Sequence, residues 1–195
     1  MGKRLKLRFN APVTLSFVSI CFVATLLGIA SNGEITKTLF MTYHSSFLNP
    51  MTYVRFVTHV FGHVGWSHFI GNASYSLLLG PMLEEKHGSK AILEVILITA
   101  VVTGLINYFF FLNIGLCGAS GVVFAFIMLA SFTDFREGEI PITFILVAAI
   151  FIGQQAYEGI AVQNNISNMA HIVGGIVGAI IGYGLNVKAK YGLYR

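Results

Sequence analysis

Long apolar runs alternate with short polar connections along most of this chain. A helix rises 1.5 Å per residue and the hydrocarbon core of a bilayer is about 30 Å thick, so a span needs roughly 17–25 apolar residues. That length predicts helices at 13–30, 67–83, 91–112, 140–156 and 169–187, with a shorter run at 120–132. The fold class expected is an all-α membrane protein, six transmembrane helices in one bundle, the fourth of them short. The run at 13–30 has a basic flank like that of a secretory signal. It is too long for one and lacks the small-residue cleavage site, so a retained helix is expected. With no repeat, low-complexity tract or second domain in view, residues 1–195 read as a single transmembrane domain.

Composition strengthens the membrane reading: 55% hydrophobic and 10% charged residues, with a mean hydropathy of +0.76, leave too little polar surface for a soluble domain of this length. The first partner implied is therefore the lipid bilayer. Charge then orients the helices. Lys3, Arg4, Lys6, Arg8, Lys86, Lys90, Arg136, Lys188, Lys190 and Arg195 fall on one side, and only Lys37 and Arg55, in the loop 31–66, fall on the other. The positive-inside rule puts both termini in the cytoplasm and the loop 31–66 outside. The net charge of +4 is thereby accounted for as a topology signal, and no nucleic-acid partner is expected.

The irregularities of the pattern point to chemistry. The 120–132 run covers only about 20 Å, and it opens on Ser120 in Gly118-Ala119-Ser120-Gly121. If its far end meets the polar residues Asp134, Arg136, Glu137 and Glu139, Ser120 sits roughly 10 Å below the outer surface. Residues 113–119 must then descend as irregular backbone, which is tolerated at that depth only inside protein or beside a water-filled cavity. A hydrolase needs such a cavity. His171 lies in the last apolar run, with Gly174 and Gly178 on its helical face to admit a neighbouring helix. An ionisable group there is expensive unless it has a function, and a histidine beside a serine is the pairing of general base and nucleophile. A second reading stays open at this point: small residues as helix-packing devices and a hydrogen-bonded structural histidine.

His68 and Asn72 form an i,i+4 pair near the outer end of the second span. They have the chemistry of an oxyanion hole, which needs fixed donors for the charge that develops in acyl transfer, or of an interhelical polar bond. Cys21 and Cys117 fall at different depths, so neither a disulfide nor a metal site is expected of them. The sequons at Asn72 and Asn165 read as chance, the first lying inside a span.

Taken in order and spacing, these residues resemble the rhomboid intramembrane serine proteases in their compact bacterial six-helix form, over nearly the whole chain. Gly118-Ala119-Ser120-Gly121 matches the family's G-x-S-G. Ala170-His171-Ile172-Val173-Gly174 with Gly178 matches A-H-x-x-G-x-x-x-G, and His68 and Asn72 match its second-helix pair. The resemblance implies Ser120 as nucleophile and His171 as general base, with no third triad member and no metal or cofactor. His68, Asn72 and the Ser120 N–H would form the oxyanion hole, while Arg55 and Glu84 would make structural polar contacts. It also implies membrane-protein substrates with a transmembrane helix, small residues at the cleavage site, a bacterial plasma-membrane location, and access between the second and fifth helices. Phe144, Phe151 and Tyr157 would fit a gate there, or simple lipid and core contacts. His59 and His63 fall at loop-histidine positions, and no metal is expected there. Two residues depart from the pattern: Val54 stands for a common tryptophan, and Phe124 for a tyrosine that packs on the catalytic histidine. The rival reading is a pseudoprotease that binds transmembrane helices without cutting them, but that predicts loss of the serine or histidine.

Overall fold

The structure, a computed structural model, describes residues 9–132, 139–140, 142–161 and 165–190. In chain order its helices are α1 (Pro12–Ala30), α2 (Glu34–Leu39), α3 (Pro50–Thr58), α4 (Trp66–His87), α5 (Ser89–Phe110), α6 (Ser120–Phe132), α7 (Ile142–Ala161) and α8 (Asn165–Lys190), with a 3-10 turn at His59–Phe61 between α3 and α4. The apolar runs thus become α1 and α4–α8, and α6 begins at Ser120 as its sequence run does. The helices α2 and α3, which the apolar pattern does not announce, give the loop 31–66 its structure. Lys3, Arg4, Lys6, Arg8, Asp134, Arg136, Glu137 and Arg195 lie outside the described residues, as do the side chains of Phe144, Phe151, Lys188 and Lys190.

By length and apolarity alone, three described helices can cross a bilayer: α1, α5 and the Asn168–Leu185 part of α8, with mean hydropathies of 2.3, 2.0 and 1.4. The chain is an integral membrane protein. The sequence reading expects six spans; the helices that form from its six runs differ in apolarity, in two cases for a visible physical reason. Ser67, His68 and Asn72 interrupt α4, which turns part of its surface to a cavity rather than to lipid. Helix α6 is shorter than a full span.

Helix α6 is the centre of the bundle and packs on α4, α5, α7 and, most extensively, α8. It is apolar all round, the signature of a helix enclosed by others; Gly121, Val122, Val123, Ala125, Phe126, Met128 and Leu129 are all buried. The core continues through Phe17 and Cys21 of α1, Leu83 of α4 and Ile92 and Val95 of α5. Glu84 fastens the opposite end of α1 from the loop. Ala11 provides no side-chain cap for α1, and the Glu84 carboxylate takes that role, accepting from Val13 N at 2.9 Å, Thr14 N at 2.9 Å, Thr14 Oγ1 at 2.8 Å and Ser89 Oγ at 2.7 Å. A carboxylate against the first N–H groups of a helix also meets the positive end of its dipole.

In the loop 31–66, Asn49 caps α3 by accepting from Met51 N at 3.0 Å, and Pro50 opens the helix, where a missing N–H costs nothing. Arg55 is buried, donating to the Tyr43 hydroxyl at 2.7 Å and to Ser45 Oγ at 3.0 Å with its guanidinium over the Tyr43 ring at 4.2 Å. These contacts tie α3 to the preceding chain, and α3 packs on α5. The structural role expected for Arg55 and Glu84 is visible in these bonds.

Candidate active site

The connection from α5 to α6 is irregular, and its polar backbone groups are paired by the loop 31–66. Thr42 and Leu116 exchange N–H···O bonds of 2.9 and 2.8 Å, and Asn107 Nδ2 donates to Thr42 O at 3.2 Å and to Ile114 O at 3.1 Å. Gly118 N donates to His59 O at 2.9 Å, and Ala119 N to His63 Nε2 at 3.4 Å. The non-helical backbone before Ser120 is thus sheltered by protein, as the depth expected from the sequence requires.

Gly118 is required by two features at once. Its φ is +129°, a region that L side chains rarely adopt, and a Cβ there would lie 2.7 Å from His68 Cε1 and 2.8 Å from Nε2. The absence of a side chain lets the turn before Ser120 close directly onto the imidazole of His68. On the other side of α6, a Cβ on Gly174 or Gly178 would collide with the backbone of Gly121 or Ala125. Glycine therefore sets the spacing of α6 and α8, as the sequence suggested, and brings the His171 turn beside the Ser120 turn.

One cavity of about 440 Å³ collects the residues singled out from the sequence: Ser120 and Phe124 from α6, His171 from α8, and His68 and Asn72 from α4. Tyr75, one turn beyond Asn72 and not singled out from the sequence, also lines it. The Phe124 and His171 rings lie 4.3 Å apart between centroids at 39°, so the phenylalanine covers the imidazole without a hydroxyl. Asn72 is buried, and its Nδ2 has no hydrogen-bond partner among the described residues. A buried unpaired donor costs about 1–3 kcal/mol.

His59 and His63 have a place the sequence did not reveal. Besides the bonds to Gly118 and Ala119, His59 pairs Nδ1 with Arg55 O at 3.1 Å and Nε2 with Thr103 Oγ1 at 3.2 Å. Burial pushes both imidazoles down from 6.5 to about 4, and for His63 the neighbouring His68 charge adds to the effect. They hold the backbone that leads into Ser120. Only their burial could have signalled this, and burial of a loop residue is not written in a local pattern.

Tyr157, one of the three residues suggested for a gate, is exposed on α7, which packs on α6 and α8. Cys21 and Cys117 are free thiols, Cys21 donating weakly to Val60 O at 3.8 Å. Glu94 forms an exposed pair with Lys90 at 3.9 Å.

A family model described as "Rhomboid domain" matches residues 50–187. Rhomboid-related protein 1 of Caenorhabditis elegans is 30% identical over 138 residues, covering 66% of this chain and 39% of that protein. Rhomboid-related protein 2 of Mus musculus is 31% identical over 156 residues, covering 69% and 51%. Rhomboid protease GlpG of Yersinia pestis (strain Pestoides F) is 25% identical over 177 residues, covering 88% and 62%. The chain thus spans less than two thirds of the length of each of these relatives. With its all-α membrane fold and a family match over most of its length, the chain belongs to the rhomboid family.

Proposed function

We propose that this chain is an intramembrane serine endopeptidase that hydrolyses peptide bonds in or near transmembrane segments of membrane proteins. The observation that carries the reading is the single cavity shared by Ser120, His171, His68 and Asn72, whose Nδ2 has no partner among the described residues. Four groups with complementary roles in acyl transfer converge there from three helices.

In this mechanism Ser120 Oγ attacks the scissile carbonyl carbon while His171 takes the hydroxyl proton. The carbonyl oxygen becomes an oxyanion and accepts hydrogen bonds from Asn72 Nδ2, a His68 ring N–H and the Ser120 N–H. His171 then returns its proton to the leaving amine, the C–N bond breaks, and an acyl-enzyme remains on Ser120. Water attacks that ester with His171 again as base, releasing the carboxylic product and restoring the serine. Phe124 holds the imidazole face through both halves.

The substrate must present an unpaired peptide bond, whereas a transmembrane helix satisfies its backbone internally. The outer end of a substrate helix must therefore unwind, helped by small or helix-breaking residues; the family resemblance implies single-span substrates and access between α4 and α7. The charge pattern supports cytoplasmic termini with the loop 31–66 outside, and the resemblance to the compact six-helix form supports a bacterial plasma membrane. The rival, a binder that holds transmembrane helices without cutting, is disfavoured because Ser120 and His171 are both retained.

The test is cleavage of a labelled single-span protein by the purified chain in liposomes, alongside Ser120→Ala and His171→Ala. The proposal expects a cut near the outer boundary by the wild type and none by either variant. Binding of the labelled protein without any cut would favour the non-cleaving rival, and a cut that survives Ser120→Ala would refute the assigned nucleophile.

A further inference from the structure

The His63 imidazole touches both sides of the oxyanion site without lining its cavity. Its Nε2 lies 3.4 Å from the Ala119 backbone nitrogen, one residue before Ser120. A peptide N–H can only donate, so Nε2 is bare and the ring hydrogen is on Nδ1. That assignment fits the other bonds. Nδ1 lies 3.1 Å from the Phe61 carbonyl and 3.5 Å from Thr25 Oγ1. The Thr25 hydroxyl donates its own hydrogen to Cys21 O at 2.7 Å, which leaves its oxygen free to accept.

The ring is therefore a neutral imidazole with a fixed tautomer, joining α1, the loop and the turn into α6. It packs edge-to-face with the His68 ring at a centroid distance of 4.9 Å and 72°, and with the Phe69 ring at 5.6 Å and 83°. His68 in turn occupies the space beside Gly118. One side chain thus contacts the peptide that leads into the proposed nucleophile and one of the proposed side-chain oxyanion donors. Misplacing such groups by about 1 Å can cost 10²-fold in rate.

We propose that His63 is a positioning residue for the reaction: its Nε2 acceptor fixes the Gly118–Ala119 turn, and its ring fixes His68, so that both elements of the oxyanion site hold one geometry. This inference rests on the protease reading above. Protonating His63 or removing its acceptor would release the Ala119 N–H and loosen the turn, while leaving the substrate-binding surface untouched.

The test compares wild type, His63→Phe and His63→Gln in proteoliposomes, measuring kcat and KM on a quenched-fluorescence single-span substrate. The rate of Ser120 phosphonylation by a fluorophosphonate, with fluoride as leaving group, and the thermal midpoint are measured in parallel. Phenylalanine keeps the ring shape and removes the acceptor. Glutamine places an amide oxygen near the position of Nε2. The expected result is a fall of at least tenfold in kcat and labelling rate for His63→Phe with KM within threefold, and recovery to within threefold of wild type for His63→Gln. His63→Phe retaining kcat within twofold would overturn the proposal. So would a folded His63→Gln, its midpoint near that of wild type, that is as slow as a variant without the acceptor. The glutamine comparison decides the matter even if the phenylalanine protein does not fold. If the wild type neither cuts nor is labelled, the protease reading itself fails and this inference falls with it; a working wild type with an indifferent His63 removes this inference alone.

Discussion

Two seams meet at Ser120 and hold it by different means. The seam between α6 and α8 is made by subtraction: Gly174 and Gly178 have no side chains, so the two backbones come together. The seam between the α5–α6 connection and the loop 31–66 is made by polar pairing, through His59, His63, Thr42 and Asn107. In lipid there is little hydrophobic gain from helix association, so close packing and internal hydrogen bonds are the forces available. The first seam sets the distance between helices, and the second sets the conformation of a turn.

Breaking the turn should have the largest effect. In Gly118→Ala the new methyl meets His68 at about the separation quoted above and is forced into an unfavourable φ. Displacing one oxyanion donor typically costs 10²–10³ in rate. We expect kcat to fall by about that much, as measured on the single-span substrate, with KM little changed. Wild-type kcat in this variant would show that the turn has slack the account denies.

Separating the helices comes next. Gly174→Val pushes α8 from the Gly121 carbonyl, and a misplacement of about 1 Å lowers the rate about 10²-fold. Overpacking should also cost about 1–3 kcal/mol of stability, seen as a lower thermal midpoint. That joint loss distinguishes the seams, because Gly118→Ala should lower the rate more than the midpoint.

The polar seam carries a pH signature that the glycine seam lacks. His59 and His63 titrate near 6.5 when unfolded and at about 4 in the fold, chiefly because burial disfavours the charged ring. Between those values the unfolded chain binds protons that the folded chain does not, so stability is full above about pH 6.5 and is lost as pH falls toward 4. The drop is worth on the order of 3 kcal/mol per histidine. Thermal midpoints in detergent at pH 7.5 and 4.5 should differ accordingly, and the difference should shrink in His63→Gln. A flat profile would mean that these rings are already charged or already solvated.

The smallest effect is expected at Phe124. The ring already lies 4.3 Å from that of His171, so Phe124→Tyr adds a hydroxyl without changing the stack and should alter kcat by no more than about threefold, since a net hydrogen bond is worth about 0.5–1.5 kcal/mol. A larger gain would show that the imidazole is poorly oriented in this chain.

The glycine seam was legible in the sequence, and the polar seam was not. His171, Gly174 and Gly178 follow helical spacing, and the apolar run that starts at Ser120 coincides with α6 itself. Periodicity and length carry such information because a helix repeats. His68 and Asn72 were legible for the same reason, as two polar positions one turn apart within the second apolar run. The bonds from His59 to Gly118 and from His63 to Ala119 join residues 59 and 56 positions apart. Neither they nor the six-residue helix α2 leave a repeating trace in a mixed polar loop. The apolarity of α4 was read too simply, because a helix beside a polar cavity keeps its length while giving up part of its hydropathy.

The central claim is that Ser120 is an activated nucleophile because His171 is beside it. Labelling with a fluorophosphonate, followed by mass-spectrometric mapping, tests this without any knowledge of the natural substrate. The account predicts one adduct, on the peptide containing Ser120, formed by the wild type and lost or slowed at least about 10²-fold in His171→Ala, the lower range of what a general base contributes. An adduct on another residue, or equal labelling of Ser120 with His171 removed, would contradict it.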